Sequence, residues 1–283
     1  MADLLRKSDD ITRDDIRHAS RADVLRRYDI QFMDRKTWLK WRKQTMKGQG
    51  FHHRTHIGPT HRGKTTTEKQ ILASEITPDR QAVVLATKPA HRDPVMNKLA
   101  HDLRLVEVED YPPSASARRY HRHRKYNGYL VRPHQTLTDL PGDKKHVRDV
   151  LQVAMIDSYA NRSGRPVIVV CDEAHKICNI YKLNEEYEAP LMSGLPDCAQ
   201  SSLIQRGRYM SYLAYDAPEE VIIFKDDDLS NQKRYSEIGG VDPAVILKVT
   251  SGLKTYETSE GHTISEFLYI RRAGPRLIIV GTE

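Results

Sequence analysis

Between Gly58 and Thr65 the chain reads GPTHRGKT: two glycines separated by four residues, followed at once by Lys64 and Thr65. No other stretch constrains the fold as strongly. Glycines at this spacing let the backbone curl until successive N–H groups face one point. A helix starting at the end of the loop adds its positive N-terminal field, and the two together cradle a phosphate. In such a loop Gly58, Pro59, Thr60, His61, Arg62, Gly63, Lys64, Thr65 and Thr66 surround the nucleotide. Lys64 reaches the β- and γ-phosphates, and Thr65 holds Mg²⁺. The residues just ahead, FHHRTH, are polar where a buried strand is expected. Their alternation predicts a strand with one less-buried face.

A phosphate loop needs a second element, and PVIVVCDEAH at 166–175 supplies it. This is a short apolar strand ending in two acids. At the C-terminal edge of a sheet, where ligands bind, Asp172 can hold the magnesium shell and Glu173 can take the proton of an attacking water. The competing reading is a strand that simply ends in solvated acids.

The spacing of the remaining segments predicts an α/β chain. Candidate strands are HRTHIG, QAVVLA, RLVEVED, GYLVRP, PVIVVCD, EVIIFK, EFLYIRR and PRLIIVG, with helices between them at 64–75, 143–161, 229–238 and 242–252. On the 143–161 helix, Val147, Val150, Leu151, Ala154 and Ser158 share one side. Continuous apolar strands joined by helical crossovers mean a mostly parallel sheet covered on both faces. Residues 1–50 are charge-rich and predict a helical arm outside the sheet, with 51–283 as the main domain. Trp38 and Trp41, three apart, share a helix face. They dock the arm either on its own domain, the reading preferred here, or on a neighbouring subunit.

Composition closes off other classes. Of the 283 residues 39% are hydrophobic, enough for a core, while no apolar run approaches the length of a membrane span. The N-terminus carries no signal-peptide core, so the expected location is the cytoplasm, the host's if the protein is viral. Cys171, Cys178 and Cys198 form no zinc or disulfide pattern. His52, His53, His56 and His61 lie close together, but only some of them can share a strand face, which makes a poor metal site.

In the order of its motifs the chain resembles the FtsK–HerA superfamily of DNA-pumping ATPases. The resemblance rests on GPTHRGKT, on VIVVCDEAHKI, and on the tail VIIFKDDDLSNQKRYSEIGGVDPAVILKVTSGLKTYETSEGHTISEFLYIRR. It covers roughly residues 51 to 272. It implies a RecA-like P-loop NTPase fold, ATP and Mg²⁺ as cofactors, a hexamer, and double-stranded DNA as the cargo. A portal or capsid-vertex protein would be a partner if that cargo is a phage genome. It also implies a polar sensor, usually Thr-Gln, at a strand end. Gln200 is the preferred candidate, and Tyr215 with Asp216 is the competing placement. Pro196 and Asp197 make the strand around Gln200 a poor one. The resemblance further implies an arginine supplied by a neighbouring subunit, for which Arg206 and Arg208 are candidates; both could equally be ordinary surface arginines. The tetrapeptide DEAH does not make the chain a helicase, since the second domain and further motifs of those enzymes are missing.

The net charge of +7 is unevenly spread. The segment 114–129 holds Arg118, Arg119, Arg122, Arg124 and Lys125 with Tyr120 and Tyr126 between them. Clustered cations neutralise phosphates and release counterions, so this segment is the expected DNA contact, against the plainer reading of a solvated loop. The sequence thus predicts an ATP-hydrolysing motor that translocates double-stranded DNA, for phage packaging or mobile-element transfer. A nucleotide-gated switch or assembly factor that moves nothing is the alternative.

Overall fold

A computed structural model describes residues 16, 18–47, 50–77, 79–134, 141–194, 197–257, 263–273 and 276–281. Pro196, used above against the sensor strand, lies outside them.

Ten strands form one sheet: β1 (Gln31–Asp34), β2 (Arg54–Ile57), β3 (Gln81–Leu85), β4 (Val106–Val108), β5 (Gly128–Val131), β6 (Val167–Cys171), β7 (Cys198–Ile204), β8 (Glu220–Phe224), β11 (Phe267–Arg271) and β12 (Arg276–Gly281), with a separate ribbon of β9 (Thr255–Glu257) and β10 (Thr263–Ser265). The order is β1-β12-β11-β8-β2-β7-β6-β3-β5-β4. β11 pairs antiparallel with both of its neighbours, while every other pairing in the sheet is parallel. This is the mostly parallel α/β architecture expected from the alternation of apolar runs and helices.

Alternate strand residues serve opposite faces. Val83, Leu85, Val167, Val169 and Cys171 pack with Leu151, Ala154 and Met155 of the helix Pro141–Tyr159, and further along the same face Leu268 and Ile270 of β11 meet Val245, Ile246 and Val249 of the helix Pro243–Ser251. Ala82, Val84, Ile168 and Val170 pack on the other face, with Leu72 of the helix Lys64–Glu75 and with Met96 and Leu99 of the helix Pro94–Asp102. Helices therefore cover both faces, and the central strands β2, β3, β5, β6, β7 and β8 are buried end to end.

Two expectations need correction. The arm is not wholly outside the sheet. Between its helices Arg21–Arg27 and Arg35–Thr45 it forms β1, which pairs parallel with β12 at the sheet edge. Trp38 docks on its own domain: it is fully buried, with edge-to-face contacts to Phe267 and Tyr269 at 5.1 and 5.3 Å between ring centroids. The polar strand before the loop has no less-buried face either. All four residues of β2 are buried, because it lies between β8 and β7.

Buried charge pairs explain that polarity. Arg54 donates Nε and Nη2 to the two oxygens of Glu68 at 2.9 and 3.0 Å, and Nη1 to Glu75 at 2.9 Å. His56 Nε2 donates to Glu68 at 2.9 Å. Arg42 of the arm reaches Glu75 at 2.7 Å and also bonds Glu220, which accepts from Tyr269 as well. Burial alone would raise the carboxyls of Glu68 and Glu220. Their cationic partners win, holding Glu68 well below the usual range and Glu220 down at about 2.

Candidate nucleotide site

The parallel strands β2, β7, β6 and β3 are neighbours, and all four end at the same rim. Four chemically active segments therefore meet there, in the crevice where open α/β sheets bind ligands. After β2 comes the loop Gly58–Gly63. Gly63 has φ +92 and Gly58 has φ +152, and a Cβ on Gly58 would lie 2.8 Å from Cβ of Phe224. Both positions demand glycine. The Gly58 N–H donates to the carbonyl of Ile204 at the end of β7, tying the loop to that strand.

Lys64 opens the helix behind the loop and is buried. Its Nζ folds back to donate to the carbonyls of Gly58 and Pro59 at 2.7 and 2.6 Å. Burial pushes its ammonium down to about 8, while Asp172, Asp226 and Glu173 pull the other way. The lysine and the two acids that follow β6 thus act on one another directly. Of the remaining loop residues, Arg62 donates to Thr255 Oγ1 at 2.9 Å, and Thr60, His61 and Thr66 are exposed. Thr65 is half-buried on the first turn of the helix.

Asp172 and Glu173 are both buried, but they differ in state. Burial pushes the Asp172 carboxyl up to about 7, helped by the nearby charges of Asp93 and Glu173, with Lys88 and Lys64 opposing. A buried acid with too little positive charge around it fits a divalent cation, and hard Mg²⁺ prefers such oxygen donors. Thr65 and Asp172 are the residues that would hold it. Burial would raise Glu173 too, but Lys176, Lys88 and Thr87 outweigh that and keep its carboxyl low. His175, beside these acids, is pushed down to about 4, chiefly by burial.

The sensor expectation does not survive the geometry. Gln200 sits opposite Val169, within β7 rather than at its end. Its side chain is fully buried, accepts from Tyr159 Oη at 2.9 Å and lies 3.4 Å from Ser202 Oγ. At strand rise it is about 13 Å short of the rim. Tyr215 is buried in the short helix Leu213–Asp216 and Asp216 pairs with Arg272, so neither stands at a strand end. The residue that leaves β7 at the rim is Gln205, directly after Ile204. Asp197 does not spoil the strand, which runs unbroken from Cys198 to Ile204.

Arg206 and Arg208 follow on an exposed turn, close enough for Arg206 to depress His175. Asn231 Oδ1 accepts from the N–H of Arg208 at 3.3 Å and is itself held by Asp226 at 2.9 Å, which fixes this turn to the end of β8. Arg118, Arg119 and Arg122 lie exposed on the helix Ala115–His123, with Arg124 and Lys125 just past its end. This is a helix, not a loop, and it connects β4 at the sheet edge to β5. His53 accepts from the Gln200 N–H at 3.0 Å while His56 pairs with Glu68, so the histidines face separate partners. Among the described residues no group of acids, histidines or cysteines is arranged to hold a metal by itself, and no helix is long and apolar enough to cross a membrane.

No family model and no curated protein matches the sequence. Solved structures do match. The genome-packaging NTPase of Sulfolobus turreted icosahedral virus 2, in complex with sulfate, superposes at a TM-score of 0.52 with 11% identity, covering 82% of this chain and 97% of that one. Its complex with AMPPCP gives 0.51 over 82% and 98% at 11% identity. The DNA-packaging ATPase of Sulfolobus turreted icosahedral virus gives 0.52 over 82% and 98% at 14% identity. At such identities the likeness is one of fold. The chain therefore has the α/β P-loop NTPase fold that these viral packaging enzymes display.

Proposed function

We propose that this protein is an ATP-hydrolysing motor that translocates double-stranded DNA, in phage genome packaging or mobile-element transfer, and that it works as a hexameric ring. The observation that supports this reading is the meeting of Lys64, Asp172 and Glu173 at one rim behind a glycine loop. Lys64 exchanges its two carbonyl partners for β- and γ-phosphate oxygens. Mg²⁺, when bound by Thr65 and Asp172, supplies positive charge to those phosphates. Glu173 accepts a proton from water as its oxygen attacks the γ-phosphorus. The bond from that phosphorus to the bridging oxygen breaks, and its electron pair leaves with ADP. Gln205, at the end of β7, orients the water. Arg206 or Arg208 of a neighbouring copy neutralises the developing charge. The exposed Arg118, Arg119, Arg122, Arg124 and Lys125 contact DNA phosphates, and a portal or capsid-vertex protein anchors the ring if the cargo is viral.

The test is the rate of ATP hydrolysis with and without duplex DNA, alongside the assembly's mass with and without nucleotide. Duplex DNA should raise the rate, Lys64→Ala should abolish it, and Glu173→Gln should abolish it while still binding ATP. Slow turnover that ignores DNA in an assembled ring would instead make the protein a nucleotide-gated switch.

A further inference from the structure

The turn that follows β7 is held from three sides. Asn179 Nδ2 donates to the carbonyl of Tyr209 at 2.8 Å and to that of His175 at 3.0 Å. Asn231 Oδ1 accepts from the Arg208 N–H at 3.3 Å, and Asn231 Nδ2 donates to Asp226 at 2.9 Å. Arg234 Nη2 donates to the carbonyl of Met210 at 2.5 Å. Gly207, at the start of the turn, is buried, with no room for a Cβ against the Tyr215 hydroxyl. Inside this frame Arg208 and Tyr209 are themselves exposed, and the Arg208 guanidinium lies 4.6 Å from the centroid of the Tyr209 ring.

An exposed turn needs no such frame to satisfy its backbone, because water serves its amides and carbonyls equally well. Both asparagines instead come from segments that leave the nucleotide rim. Asn179 ends the short helix Ala174–Asn179, which begins directly after Asp172 and Glu173. Asn231 lies on the helix Leu229–Gln232, tied through Asp226 to the exit of β8, and Asp226 lies within electrostatic reach of Lys64. The frame therefore joins the turn to both sides of the copy's own phosphate site. A guanidinium that meets a transferring phosphoryl group works only at a set distance and angle, and a misplacement of about 1 Å costs about 10²-fold in rate. An arginine on an untethered turn would lose most of its effect.

We propose that Asn179 and Asn231 are positioning residues for the neighbouring subunit's site: they fix the backbone at Arg208, which makes Arg208 rather than Arg206 the arginine presented across the interface, and Asn179 couples its placement to the helix that follows the presenting copy's own acids. The inference rests on the hydrolytic ring proposed above and deepens it, by naming which arginine is presented and what aims it.

The test co-expresses full-length chains with complementary defects. Asn179→Ala and Asn231→Ala should each lower kcat about 10- to 100-fold, with KM for ATP little changed. Lys64→Ala chains have a dead site but an intact seat for Arg208. Assembled in equal amounts with Asn179→Ala chains, they should lift the rate to about a quarter of wild type, because about half of the copies then keep a live site and about half of those face a well-aimed arginine. Lys64→Ala should rescue Arg208→Ala in the same way. A residue that merely supports its own subunit gives no rescue, because its defect stays in the copy that carries it. Should Asn179→Ala fail to fold, Asn231→Ala carries the same comparison. Folded variants that gain nothing from Lys64→Ala, or an Arg208→Ala variant as fast as wild type, overturn the inference and leave hydrolysis standing. If wild type does not hydrolyse ATP, the hydrolytic reading falls and the presented arginine falls with it.

Discussion

Arg54 donates from two nitrogens to the two oxygens of Glu68, joining the strand that precedes the phosphate loop to the helix that follows it. The pair is fully buried and clamps the loop from below. Breaking such a pair leaves an uncompensated charge in the core. Glu68→Gln should therefore lower stability by about 3–5 kcal/mol, read as a fall in the unfolding midpoint. Arg54→Met combined with Glu68→Leu should recover most of that loss, because removing both charges is far cheaper than removing one. A double variant no more stable than the single one would show that the pair contributes more than compensation.

Glu220 sets an acid limit. Its carboxyl is depressed from an ordinary value of 4.5 to about 2 by Arg42 and Tyr269, against the effect of burial. A depressed carboxyl gives stability that is complete above the unfolded-state value and is lost as pH falls toward the folded-state value. The melting temperature should therefore drop between about pH 4.5 and 2. In Glu220→Gln the protein should start lower and show a shallower drop over that window.

Gln205 and Gln200 make opposite predictions. Gln205→Ala should cut kcat about 10²-fold, the scale of one lost orienting or charge-stabilising group, with little change in melting temperature. Gln200→Ala removes a buried partner of Tyr159 and should lower stability by about 1–3 kcal/mol. Steady-state kinetics and thermal melts on both variants distinguish rim from interior.

The basic helix can be tested by charge. Replacing Arg118, Arg119 and Arg122 with glutamine should weaken duplex binding. It should also make log K fall less steeply with log salt, by about 0.9 per lost phosphate contact. An unchanged salt slope would move the DNA contact elsewhere.

Much of the site was legible in the sequence, because phosphate binding demands particular residues in particular order. The helix expected at 64–75 is found at Lys64–Glu75, and all eight candidate runs became strands. The failures have physical causes. FHHRTH looked half-exposed because its buried charges have their partners 12 to 21 residues away, on the next helix, where no local pattern shows them. Gln205 was missed because Ser201 and Ser202 dilute the apolar signal of β7 just before it. Tyr187 Oη bonds Ser202 Oγ at 2.7 Å, which is why that serine sits comfortably in the core. β1 is four residues between two helical runs, and it pairs with a strand at the far end of the chain. A window read along the sequence sees neither partner.

The arm strand also protects solubility. β12 reads RLIIVG, and its residues Leu277 to Val280 are buried. With β1 cut away, that greasy ribbon would become the outermost one, its amide groups bare and ready to zip onto another molecule. The same cut would take Arg42 and leave Glu75 and Glu220 without their shared cation. A shortened version starting at residue 51, which the motif layout invites, should therefore precipitate rather than behave as a smaller engine.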